Sequence, residues 1–290
     1  MCRKKIDETI LLIPPYSYVM SKTTRGLKLI LIFSPLLFFA VTSFIRVDDP
    51  ALPYFKFKTI VIDAGHGGKD PGAHGAFSLE KNVSLAIAKK VEKLVKKELD
   101  INVVMTRTHD NFVELNKRSE IANSNHGNLF VSIHCNSLPG GTANKTHEKG
   151  VLLLVYGYHR KEEQMEALRE NASIYIEKDY KKTYASYSEN DPSSMIVLNA
   201  YLQKYRKQSI LFGEILNHQF KFNDGRRSSG VKEQGLLVLA HSAMPAVLVE
   251  TGYINNAAEE KYLNSESGQD EIAASIVKGI KTYIREINGS

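Results

Sequence analysis

Two histidines and two glutamates stand where this sequence could do hydrolytic chemistry: His66, Glu80, His134 and Glu250. His66, His134 and Glu250 each fall where a hydrophobic run stops, in TIVIDAGH, LFVSIH and AVLVE. Glu80 falls in the expected first turn of the helix that follows the glycine-rich loop around His66. Two imidazoles and one carboxylate are a recurring three-ligand set for catalytic zinc, with a fourth position left to water. A remaining carboxylate is then free to take the proton from that water. Each group also has an ordinary structural account. Glu80 could stabilise a helix N-terminus, worth about 0.3–1 kcal/mol. His134 could be a satisfied core histidine, and Glu250 could close a salt bridge with Lys or Arg. Residue type and spacing leave both accounts open.

For these groups to meet, the elements carrying them must share one rim of a sheet. A strand over Phe57–Ile62 breaks into DAGHGGKDPGA, whose glycines let a ligand approach the backbone. Ser78 is the expected N-cap of a helix whose apolar positions Val83, Ile87, Val91, Leu94 and Val95 keep a 3–4 spacing. Strands are expected at Asn102–Thr106, Leu129–Ile133, Gly150–Tyr156, Leu236–Leu239 and Ala246–Glu250, and helices at Leu115–Asn123, Ser193–Phe220 and Glu271–Glu286. Such alternation predicts an α/β fold, a mostly parallel twisted sheet with helices on both faces. Ligands bind at the C-terminal ends of strands in such sheets.

The alternation is interrupted at about 157–207, which reads as a helical insertion. Within it, Glu162–Ile176 is helical by pattern, with Met165, Leu168, Ala172 and Ile176 on one face, and Lys178–Pro192 is a polar, Tyr-rich excursion.

The chain has 290 residues, 43% hydrophobic, enough for one large domain. Its net charge of +6 is uneven. Residues 1–45 hold six Lys/Arg and two acids, so residues 46–290 keep 32 bases and 30 acids, or +2. Nucleic-acid binding gains little support from that balance. Lys22, Arg25 and Lys28 precede an uncharged apolar stretch, Leu29–Ile45, that Pro35 interrupts. Residues 1–45 therefore read as a signal peptide or N-terminal membrane segment, joined by a linker at 46–57 to a domain at 58–287. Started at Met20 instead of Met1, the leader would have the usual short basic head. Export follows either way, to the periplasm or cell envelope. Cys2 lies in the leader, leaving Cys135 without an intrachain partner and best read as a buried packing residue.

DAGHGGKDPGA, the Glu-Lys-Asn-Val helix start, SIHCNS and PAVLVETGYINN resemble, in order, the zinc-dependent N-acetylmuramoyl-L-alanine amidases of the amidase-3 family. The likeness covers about 58–286 apart from the insertion. It implies a cell-wall hydrolase that cleaves the amide between N-acetylmuramic acid and L-alanine in peptidoglycan, for wall remodelling or daughter-cell separation. It further implies one Zn2+ per chain held by His66, Glu80 and His134, with Glu250 as the catalytic carboxylate. Arg118 lies where the family often places an arginine, though a structural ion pair serves equally well. Asn136 is a candidate for ordering the site by hydrogen bonding. Cys135 departs from the family's small unreactive residue, but on a strand it points to the face opposite His134.

In relatives that separate daughter cells, an inserted helical segment covers the zinc until an activator protein displaces it. Here Glu162, Glu163, Glu166, Glu170 and Glu177 are the candidates to reach the open metal position. The competing account is a decorative helix docked through Met165, Leu168 and Ile176. A non-catalytic peptidoglycan-binding domain and a zinc peptidase acting on stem peptides are the alternative functions.

Overall fold

The computed structural model describes residues 56–139, 147–157, 164–184 and 192–289. The expected leader, the choice between Met1 and Met20, and nearly all of the linker lie outside the described residues, as do Glu162 and Glu163.

Six strands form one sheet among the described residues: β1 (Thr59–Ala64), β2 (Asn102–Met105), β3 (Leu129–Asn136), β4 (Val151–Tyr156), β5 (Ser228–Gln234) and β6 (Ala246–Tyr253). Their order is β2-β1-β3-β6-β4-β5. Pairing is parallel except between β4 and β6, which run antiparallel. Every residue of β1, β3, β4 and β6 is buried. Strands covered on both faces have no solvent side to alternate toward, so apolar residues dominate them, with buried polar groups such as Asp63, Ser132, His134 and Glu250 among them. The sheet is thus mostly parallel and covered on both sides, as the alternation predicts.

The helices are α1 (Glu80–Glu98), α2 (Leu115–Ser124), α3 (Met165–Asn171), α4 (Tyr180–Thr183), α5 (Pro192–His218), α6 (Leu237–Ala240), α7 (Ala257–Asn264) and α8 (Glu266–Asn288). Helices α1, α5 and α8 cover one face through Val83, Ile87, Val91, Phe212, Leu216, Ile272 and Ile276, which pack with Ile60, Ile62, Val131, Ile133, Val247 and Val249. Cys135 belongs to this cluster. The opposite face packs Val61, Phe130, Leu152, Leu154 and Leu248 under Leu115, Ala122, Ala167, Leu236 and Leu239.

Three expectations are corrected. Leu236–Leu239 is not a strand; the segment folds as α6, and the strand is β5 upstream, SSGVKEQ, a polar sheet edge with no apolar run to announce it. Ser78 is not the cap of α1. The cap position is Leu79 and lacks a side-chain bond, because the carbonyls of Pro71 and Ala73 accept from the N–H groups of Lys81 and Glu80. A folded-back loop satisfies those donors in place of a serine. Finally, the helix over Glu162–Ile176 is described only from Met165, and it gives way to a 3₁₀ turn at Ala172–Ile176. Its apolar stripe does not dock: Met165, Leu168 and Ile176 are 57%, 68% and 40% exposed, while Ala167 and Glu170 face inward.

Candidate metal centre and catalytic site

The loop after β1 turns sharply enough to aim His66 back over the sheet. His66 has φ 59°, a left-handed conformation that non-glycine residues seldom adopt. Glycines make room around it. A Cβ on Gly65 would collide with the His134 ring, and one on Gly72, itself at φ 66°, would lie 2.6 Å from His66 Cδ2. Two buried arginines hold the turn from below. Arg118 donates to the carbonyls of Ala64 and His66, each at 2.8 Å, and Arg107 donates to those of Ala64 (2.8 Å) and Gly65 (2.7 Å). Arg118 also meets the wholly buried Asp63 at 2.8 Å, which Thr106 and Ser132 hydrogen-bond at 2.6 Å. Burial alone would raise the Asp63 pKa, but the Arg118 charge and the two hydroxyls bring it below the usual carboxylate range.

The structural reading of Arg118 is therefore realised: it pairs with Asp63 and supports the loop. Replacing it with Ala strands a buried carboxylate, and we expect Arg118→Ala to lose about 3–5 kcal/mol in urea unfolding at neutral pH. Because the folded pKa of Asp63 is depressed, that difference shrinks as pH falls through the carboxylate range.

Four side chains converge above this platform. His66 Nε2 lies 3.2 Å from both Glu80 Oε1 and Glu170 Oε2. His134 Nδ1 lies 3.1 Å from Glu80 Oε1 and 2.9 Å from Glu170 Oε2. All four residues are buried, and their ligand atoms lie within 4.8 Å of one another. Glu80 is fixed by the N–H groups of Ala73 (2.7 Å) and Cys135 (2.8 Å). Asp70 Oδ2 accepts from His66 Nδ1 at 2.9 Å, which orients the ring and leaves Nε2 facing the cluster. His66 Nε2 makes no directed hydrogen bond despite its burial. Two imidazoles and two carboxylates that crowd one point, with His134 Nδ1 bonded to Glu80 Oε1 at 3.1 Å and His66 Nε2 left without a directed bond, fit a divalent cation, and the nitrogen–oxygen donor set suits zinc.

Electrostatics agree with a site built for a cation. Burial would lower the histidine pKa values, yet Glu80 carries that of His66 well above its ordinary value, and Glu170 carries that of His134 to about 9. Glu80 is held low by His66 against its own burial, and Glu170 by Arg169 and His134.

Glu250 sits opposite His134 across the β3–β6 ladder and is fully buried. Its Oε1 accepts from Arg169 Nη2 at 2.6 Å; Oε2 has no hydrogen-bond partner among the described residues. Burial, with Glu170 and Glu80 nearby, lifts its pKa to about 8 although Arg169 pulls the other way.

Of the insertion glutamates that the structure describes, only Glu170 reaches the cluster. Glu166 contacts Gln234, and Glu177 accepts from the Leu115 N–H (2.9 Å) and Tyr184 hydroxyl (2.7 Å). With Glu170 in place, the space beside the two histidines is about 10 Å³, room for no more than about one water. Asn136 does not bond to the cluster: its Oδ1 accepts from the Ser137 N–H at 2.7 Å, and it lines an open cleft of about 650 Å³ beside α3. Sequence reasoning passed over Asp70, Arg107 and Arg169. Asp70 shares the His66 loop and Arg107 ends the β2 run, so position gave a signal for both; nothing in the α3 sequence singles out Arg169.

The family described as N-acetylmuramoyl-L-alanine amidase (Amidase_3) matches residues 60–282. The chain is 33% identical over 232 residues to N-acetylmuramoyl-L-alanine amidase AmiC of Escherichia coli, a match that spans 78% of this chain and 53% of that protein. The chain thus spans about half the length of that relative. Among solved structures, N-acetylmuramoyl-L-alanine amidase AmiC2 of Nostoc punctiforme superposes with TM-score 0.52 at 30% identity, over 79% of this chain and 98% of that one. An N-acetylmuramoyl-L-alanine amidase from Clostridium difficile 630 superposes with TM-score 0.54 at 27% identity, over 78% and 96%. With these motifs and this sheet, the chain belongs to the N-acetylmuramoyl-L-alanine amidase family Amidase_3.

Proposed function

We propose that the chain hydrolyses the amide joining the lactyl group of N-acetylmuramic acid to the L-alanine of the peptidoglycan stem peptide, with one zinc ion held by His66, Glu80 and His134. The observation that carries this reading is the buried meeting of those three side chains beside Glu250 at one rim of the sheet. When bound, the ion supplies Lewis acidity, polarising the scissile carbonyl and lowering the pKa of water toward about 7. Glu250 accepts the water proton and delivers it to the departing nitrogen. Asp70 keeps His66 in the tautomer that presents Nε2. Arg107 and Arg118 hold the loop so that the ring cannot swing away.

Glu170 Oε2 lies against both histidines, which supports reading the insertion as a cover that keeps the enzyme shut. Besides packing through Ala167 and Tyr184, the insertion is fastened by polar contacts such as Ala167 N–H to Gln234 Oε1 (2.6 Å) and Leu237 N–H to Asn171 Oδ1 (2.9 Å). Water can replace such contacts when the segment moves. An activator protein would then serve to displace it. Peptidoglycan lies outside the cytoplasmic membrane, which agrees with the basic-apolar leader at 1–45 and an envelope location. Among the described residues no helix is long and apolar enough to cross a membrane.

Purified wall sacculi, digested with and without chelator and analysed by mass, test the function. Intact stem peptides that vanish with chelator are the expected product; shortened stems would indicate a peptidase, and no release from an opened variant a binding domain. For the metal, we expect His134→Ala to drop from one zinc per chain to almost none by elemental analysis. The raised pKa values of His66 and His134 favour protonation of the rings in the metal-free protein. Zinc must displace those protons, so uptake measured by calorimetry in buffers of different ionisation heat releases protons at pH 7, and affinity falls as pH falls.

A further inference from the structure

Arg169 and Glu170 are consecutive residues of α3, and they place a cation and an anion on the two halves of the site. Arg169 Nη2 lies 2.6 Å from Glu250 Oε1, and Nη1 donates to the main-chain carbonyl of Cys135 at 3.0 Å. The same guanidinium meets Glu170 Oε1 at 2.8 Å, while Glu170 Oε2 faces both histidines. The Cys135 carbonyl is available for a reason of topology. β1 ends at Ala64, opposite Ile133, so the Cys135 backbone has run past its neighbour. Its N–H turns to Glu80 and its carbonyl to Arg169. Amide hydrolysis yields a matching pair of charges. The C–N bond breaks, a C–O bond forms from water, and both water protons end on nitrogen, leaving a carboxylate and an ammonium group.

We propose that Glu250 Oε1 and the Cys135 carbonyl form the subsite for the amine released by hydrolysis, and that Arg169 occupies it as a stand-in for that ammonium. Glu170 correspondingly occupies the carboxylate side. This inference rests on the amidase reading and extends it: the cover is a mimic of the product pair, and the freed α-amino group of the stem peptide competes with Arg169 for one position. A buried carboxylate and a carbonyl, both acceptors, select a protonated amine and reject an acylated one, which has lost its charge and two of its donors.

The test compares two synthetic stem peptides beginning with L-Ala, one with a free amino terminus and one N-acetylated, binding to the zinc-loaded Arg169→Ala/Glu170→Ala chain by calorimetry. The free amine is expected to bind about tenfold or more tighter, and to bind the wild-type chain, where Arg169 holds the subsite, at least tenfold more weakly than the double variant. Adding Glu250→Gln should abolish the preference. Equal binding of the two peptides by the double variant overturns the proposal. So does a preference that persists in the Glu250→Gln background, since the amine would then be held by the metal. Should the double variant fail to fold, Arg169→Gln alone carries the same comparison. The readout is binding. An opened chain that releases intact stem peptides yet shows no amine preference refutes the subsite alone; an amine preference without stem-peptide release refutes the amidase reading.

Discussion

In the Arg169→Ala/Glu170→Ala chain, adding Glu250→Gln is expected to lower release of stem peptides from sacculi by about 10²–10⁴-fold with zinc content unchanged. Gln keeps the shape and burial of Glu250 but has no basic oxygen with which to take a proton. The carboxylate stands next to the proposed metal ligands without joining their cluster: it pairs with Arg169, while Glu170 completes the set around the two histidines. Its loss should therefore spare the metal and remove the proton path. Loss of zinc together with activity would instead make Glu250 a ligand, and unchanged turnover would remove it from the chemistry.

The second large effect runs the other way. Glu170→Ala with Arg169→Ala should raise basal hydrolysis at least tenfold over wild type, since each buried charge-assisted contact holding the cover is worth about 1.5–3 kcal/mol. The two replaced side chains supply the contacts to His66, His134, Cys135 and Glu250. Removing about 160–205 entirely should give a similar gain. A rate no higher than wild type in both would mean that the insertion does not limit access. Met165 and Leu168, exposed on the outside of α3, are a built-in control: polar replacements there leave the buried contacts untouched and should not change the basal rate.

What the sequence displays about this fold follows from burial. β1, β3 and β6 are buried on both faces, so they open as apolar runs; those runs stop near His66, His134 and Glu250, although β3 and β6 themselves continue to Asn136 and Tyr253. β5 lies at the sheet edge with partly exposed, polar residues, and no periodicity distinguishes it from a loop. The insertion misleads for the opposite reason. Its helical stripe of Met165 and Leu168 has the spacing of a buried face, yet the face that docks carries Ala167 and Glu170, and Glu170 and Arg169 find charged partners in the site. Pattern could assemble five candidate glutamates, but choosing Glu170 required knowing which way the helix turns. Asp70, Arg107 and Arg169 act through directed bonds to other residues rather than through burial, and hydrophobic patterning carries no trace of such bonds.

Anomalous diffraction at the zinc edge from crystals of the intact chain tests the central claim most directly. One peak per chain is expected, within about 2.0–2.2 Å of His66 Nε2, His134 Nδ1 and an oxygen of Glu80. A peak bound elsewhere, or zinc-soaked crystals with these side chains unchanged and no peak among them, would contradict it.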